Sequence, residues 1–190
     1  YDTAFEGQGL PGFGFVRIYT EFESPESFDQ VIKIGMIPNQ FMVHVDPGGV
    51  QPDGSDLNWA FIDQDYTADE FKETFPNAKL SSTTPGEWKS IGDKAPDWIT
   101  PDSVRVSEYF ERNKRKFTIY KLQDGSTVRS VEGVEYEGVV SKRESWEWET
   151  KWYKTNGYEI LERTDWPDES IPVVPFYGET LLIDGKITRS

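Results

Sequence analysis

Seven tryptophans stand in this 190-residue chain, and three of them share one run with paired carboxylates: Trp146-Glu147-Trp148-Glu149, followed by Trp152. In an extended strand the indoles occupy one face, and Glu147 and Glu149 occupy the other, about 7 Å apart by the strand rise. That separation overlaps the spacing of an inverting glycosidase's acid and base. Neighbouring strand carboxylates point the same way, however, whereas an acid and a base must flank the sugar bond from opposite sides. The run therefore reads as a half-buried strand with its rings inward. A Trp-lined carbohydrate-binding or glycoside-acting face is the alternative function.

Other candidate chemistry is thinner. His44 is the sole histidine, so neither a two-His metal site nor a two-His relay exists, and it reads as a structural residue. Asp46, Asp53, Asp56, Asp63 and Asp65 gather in and after one loop, but their spacing fails the EF-hand template. Gly7-Gln8-Gly9-Leu10-Pro11-Gly12 fits G-x-G-x-x-G, yet a strand follows it where a helix N-terminus is required. Pro172-Val173-Val174-Pro175 is formally P-x-x-P, but its valines seek burial. Arg112, Lys114, Arg115 and Lys116 concentrate basic charge, read as the tip of a hairpin that could touch phosphate or an acidic neighbouring subunit. No catalytic residue, metal or cofactor is assigned.

Composition narrows the classes. A formal charge of -14 repels phosphate and anionic lipid, which argues against sequence-reading nucleic-acid binding but not against DNA that slides past. Hydrophobic residues at 36% with 15% aromatics describe a packed globule rich in rings. The absence of cysteine excludes disulfides and thiolate chemistry. No apolar run approaches membrane-spanning length. Opening on Tyr1 rather than Met, the chain is expected to be processed or cut from a longer one.

The elements that must position these residues are mostly strands. Phe13 to Phe22 is apolar on both faces, as a central strand is. Val31 to Ile37, Gln40 to Val45 and Trp59 to Asp63 read as further strands, with Asp46 to Asp56 as a loop. Thr67 and Glu70 form a capping-box pattern ahead of Ala68, Phe71 and Phe75, and Pro76 stops the helix. Residues 77–103, spaced by Pro85, Pro96 and Pro101, form a long irregular excursion expected to be the most mobile part. Beyond it, Val104 to Arg112 and Arg115 to Leu122 alternate across the basic turn. Asp124-Gly125 and Asn156-Gly157 predict two-residue type I′ turns, and Asp184-Gly185 a third hairpin. The expected class is α+β: a mainly antiparallel sheet with hairpins, one short capped helix and the excursion. It divides as 1–76, 77–103 and 104–190, a single structural domain.

One further run is distinctive. Ile171-Pro172-Val173-Val174-Pro175-Phe176-Tyr177-Gly178 places two prolines around two valines, an extended apolar rod that belongs at a sheet edge or bulge. Together with Val104 to Arg112, and with the order of the Gly12 to Phe22 strand, the Trp59 to Phe75 strand and helix, and the Trp146 to Arg163 hairpin, it resembles the portal (head-to-tail connector) protein of short-tailed bacteriophages. The excursion and the Asp46 to Asp56 loop have no counterpart in that resemblance. It implies the β-rich middle of a non-enzymatic virion protein: a dodecameric, homo-oligomeric ring at one capsid vertex, assembled in the host cytoplasm. Its implied partners are the packaging motor (terminase), tail adaptor and capsid proteins, and transiting double-stranded DNA, without any membrane.

Overall fold

The computed structural model describes residues 13–37, 39–88, 91, 97–131, 134–177, 180–183 and 186–189. The glycine motif at 7–12, Gly178 and the Asp184-Gly185 turn lie outside them. The fold is mostly antiparallel sheet with a short helix. Strands β1 (Phe13–Phe22) and β2 (Gln30–Met36) form a hairpin, and β9 (Val173–Tyr177) pairs on the other side of β1. A second sheet runs β3 (Val43–Val45), β4 (Trp59–Thr67), β5 (Ser103–Leu122), β7 (Val139–Thr155) and β8 (Ile160–Trp166), with β6 (Thr127–Arg129) paired to the far end of β5. Strands β10 (Thr180–Ile183) and β11 (Lys186–Arg189) pair separately. Residues Gln40–Met42, expected within a strand, form a 3-10 turn capped by the Asn39 side chain.

The rod takes the edge position its prolines require. β9 has only β1 beside it, and Phe15 faces Pro175. Ile18 N–H donates to Pro172 O at 2.9 Å, so ladder alternation turns the Pro175 nitrogen away from β1, where no donor is needed. The Asp46 to Asp56 loop covers that open edge. A side chain at Gly54, held at φ +72°, would meet Pro175 Cδ at 2.7 Å.

Two cores lie along β5, which contributes Val104 and Val106 to one and Phe110 to the other. The first packs Phe71 and Phe75 around Leu80, Trp88 and Ile99. Helix α1 (Ala68–Thr74) supplies Phe71 and keeps the expected capping box between Thr67 and Glu70. Leu80, Trp88 and Ile99 belong to the 77–103 region, so among its described residues these three side chains are anchored in the core. The second core joins Phe15, Leu57, Ala60 and Phe110 to Ile171 and Val173 of the rod. Sequence position alone separates these groups, so prolines that looked like spacers concealed buried anchors.

Both glycine turns differ from expectation. Among the described residues only Asp97 has a positive φ outside glycine, so Asp124 and Asn156 cannot take part in type I′ turns. Gly125 N–H closes on Leu122 O at 3.0 Å with φ +85° at Gly125, a type I turn followed by a left-handed glycine. Asn156 is wholly buried and spends its side-chain oxygen on Tyr158 and Glu159 N–H, which makes the β7–β8 connection a four-residue Asx-type loop. The register follows: Trp152 faces Thr164 and Tyr153 faces Arg163, with a bulge at Thr155.

Acid should loosen this fold. The Arg105 guanidinium beside Asp65 holds that carboxyl below its ordinary range, and backbone N–H donors do the same at Asp46 and Glu70. Groups depressed in the folded state stabilise it fully above the unfolded value near pH 4, and that contribution is lost as pH falls through the lower folded values. Thermal midpoints should therefore be level from pH 7 to about 5 and fall below about 4. A midpoint that rises on acidification would refute the assignment.

Candidate assembly surface

Sequence reasoning placed a turn at Arg112 to Lys116, and the structure does not. β5 runs unbroken through it, and Arg112, Asn113, Lys114, Arg115 and Lys116 pair with Thr150, Glu149, Trp148, Glu147 and Trp146. No glycine or proline interrupts the run, and each residue has a ladder partner, so nothing forces the chain to reverse. Strand β4 ends its pairing at Glu111, and beyond it β5 and β7 continue as an arm. From Arg112 to Leu122 the arm extends about 35 Å at the usual strand rise.

Alternation then sorts the four cations onto two faces. Arg115 shares its face with Glu147 and Glu149, and lies 3.4 Å from Glu149. On that face Arg129 of β6 grips Glu147 through both guanidinium nitrogens and covers the Phe117 ring at 4.2 Å. The Arg129 hydrogen bonds pull the Glu147 carboxyl below its ordinary range. A glycosidase acid needs the opposite shift, and the carboxylates here are held by arginine.

The other face carries the tryptophans. Arg112 lies 4.1 Å and Lys114 4.9 Å from the Trp148 ring centre, and Lys116 stands 5.6 Å from that of Trp146. Arg112 is a structural anchor, donating to Ser55 O at 2.7 Å, whereas Lys114 and Lys116 are exposed. Lys116 also meets Glu144 at 2.5 Å. The three indoles form no common platform: Trp146 is 60% exposed, Trp148 lies beneath cations, and Trp152 donates to Glu108 at 2.8 Å. The carbohydrate reading has no support in this arrangement.

Sequence reasoning missed an ion pair between the two sheets. Arg17 on β1 donates two bonds of 2.7 Å to Glu108 on β5, binding the two sheets together. Glu108 lies between Val106 and Phe110 on their face of the strand, so the pair sits between the two cores, beside a cleft of about 520 Å3. Only the alternation around position 108 hinted at it.

The remaining candidates resolve into structure. His44 Nε2 lies 3.5 Å from Asp63, which also receives the Ser107 hydroxyl; the carboxylate stands between serine and histidine, the wrong order for a nucleophile relay. Asp46, Asp53 and Asp56 accept N–H bonds from their own loop, among them Gly48 at 2.8 Å and Val50 at 2.6 Å. Among the described residues no group of three metal-ligating side chains gathers, and no helix is long and apolar enough to cross a membrane. Of the rod, Ile171, Pro172, Val173 and Pro175 are buried, while Val174, Phe176 and Tyr177 are half-buried.

Comparison with known proteins gives a consistent result. A family model described as phage P22-like portal protein matches residues 1–190. A curated protein named portal protein, from Acyrthosiphon pisum secondary endosymbiont phage 1, is 27% identical over 203 aligned residues, which cover 96% of this chain and 27% of that protein. The chain thus spans about a quarter of the length of the curated relative it matches.

Proposed function

Because this chain belongs to the phage P22-like portal protein family, we propose that it is the β-rich structural part of a portal, working at a capsid vertex and carrying no catalytic site. The family match across all 190 residues carries this reading. The architecture is in keeping with it: two cores pinned by an ion pair give a rigid body, and a long strand pair projects from it. In a complete portal such bodies would stand side by side in a dodecameric ring that passes double-stranded DNA, with packaging motor, tail adaptor and capsid proteins docked around it. Lys114 and Lys116 then offer the arm's cationic face to a neighbouring subunit or to DNA, while Arg112 and Arg115 serve the arm's own structure.

Deleting this segment from the full-length protein should abolish DNase-protected DNA in packaging reactions while leaving empty capsids. Packaging at the parental level without the segment would refute the proposal. The chain by itself should be folded and mainly monomeric at micromolar concentration and moderate salt, with weak duplex binding that salt removes. Light scattering that shows a stable dodecamer would place the whole ring interface within these residues instead.

A further inference from the structure

We infer that the Trp146–Trp148 face of the arm receives the acidic β1–β2 turn of a second copy of the chain, in a head-to-tail contact. The inference rests on the assembly reading above and adds which two surfaces meet. On the arm, Lys114 has no carboxylate partner among the described residues, and Lys116 has Glu144 alone. Beside them Trp146 exposes more than half of its surface. The face thus offers cations over an apolar floor.

The turn is its chemical complement. Residues 21–29 contain Glu21, Glu23, Glu26 and Asp29 and no base. Glu21 pairs with Lys33, and the other three have no cation partner among the described residues. Phe28 is 96% exposed and Phe22 58%. Two bare rings among three unpaired carboxylates are poorly placed in water, and they fit a surface that is both cationic and aromatic.

Charge sets which surfaces can meet. The basic face pressed against the basic face of a second copy, or the acidic turn against the acidic turn, would bring like charges together across the interface, which is strongly disfavoured. In a ring, as the assembly reading has it, the basic face of one copy meets the acidic turn of the next, a head-to-tail contact of the kind that closes when the rotation permits. Nucleic acid would satisfy the lysines but leave Phe22 and Phe28 bare, and it would be opposed by the -14 charge of the chain. A second copy answers both surfaces at once.

The chain has no cysteine, so introduced thiols are unique within it. Full-length proteins bearing Lys116→Cys and Glu26→Cys, with any cysteine outside these 190 residues replaced by serine, mixed and treated with a short bis-maleimide, should give a cross-linked dimer that neither gives alone. The yield should fall at least tenfold when Lys114→Glu is added to the first or Phe28→Ser to the second. A yield no greater than that of Lys116→Cys mixed with Thr164→Cys would overturn the contact, as would self-cross-linking of Lys116→Cys. Loss of the cross-link on adding a labelled duplex, with duplex binding that Lys114→Glu abolishes, would identify DNA as the occupant. Particle mass separates the two levels: rings without the cross-link refute this contact and leave the assembly reading standing, whereas monomers throughout refute both.

Discussion

Phe110→Ala should destabilise the fold by about 3–5 kcal/mol, the usual cost of emptying a buried phenylalanine site. Phe110 is wholly buried, meets Trp166 edge-on at 5.3 Å, and sits in the core that includes Ile171 and Val173. Its loss removes part of the wall on which the rod and β1 pack, so the three-stranded sheet should loosen before the other core does. Hydrogen exchange should show protection falling first at β1 and β9 while α1 stays protected. Uniform loss of protection would mean that the two cores unfold as one unit.

The second large effect belongs to Glu108. Its carboxylate accepts from Arg17 twice and from the Trp152 indole, and both side chains of the ion pair are mostly withdrawn from water. Glu108→Ala should cost about 3 kcal/mol, because it leaves a guanidinium with no counter-charge in the gap between the sheets. Arg17 Nε is already buried without a partner, so the arginine has little else to turn to. Replacing the pair together, as Arg17→Met with Glu108→Leu, should recover much of that loss. Chemical denaturation of the two single variants and the double variant measures the coupling between them. Additive losses would show that the pair holds nothing together.

The same residues show what a linear reading can and cannot reach. Alternation located the strands of the large sheet, and the capping box located the helix, because both signals are local. The strand Val173–Tyr177 within the rod was legible as an edge strand because proline forbids other places. The basic run at 112–116 misled because charge clusters resemble turn tips, while its real determinant is a set of cross-strand partners at positions 146–150. Asn156 misled for a different reason: the amide that suits a left-handed backbone can equally serve as a buried acceptor. Arg17 and Glu108, separated by 91 positions, could be matched only by the fold itself.

The placement of β1 has a consequence for how the molecule is made. Its first neighbour, β2, lies just after it in the chain, but its second, β9, is synthesised only after every strand of the large sheet. Closing so long a loop is slow, because the entropy of bringing distant segments together is spent before any contact rewards it. Until β9 arrives, β1 exposes an open edge, and Ile18, Ile32 and Ile34 of the hairpin remain in water even afterwards. A two-stranded ribbon of that kind is marginal by itself and ready to pair with the wrong chain. A strand translated only after the whole of the large sheet is therefore the one that decides whether β1 pairs within its own molecule.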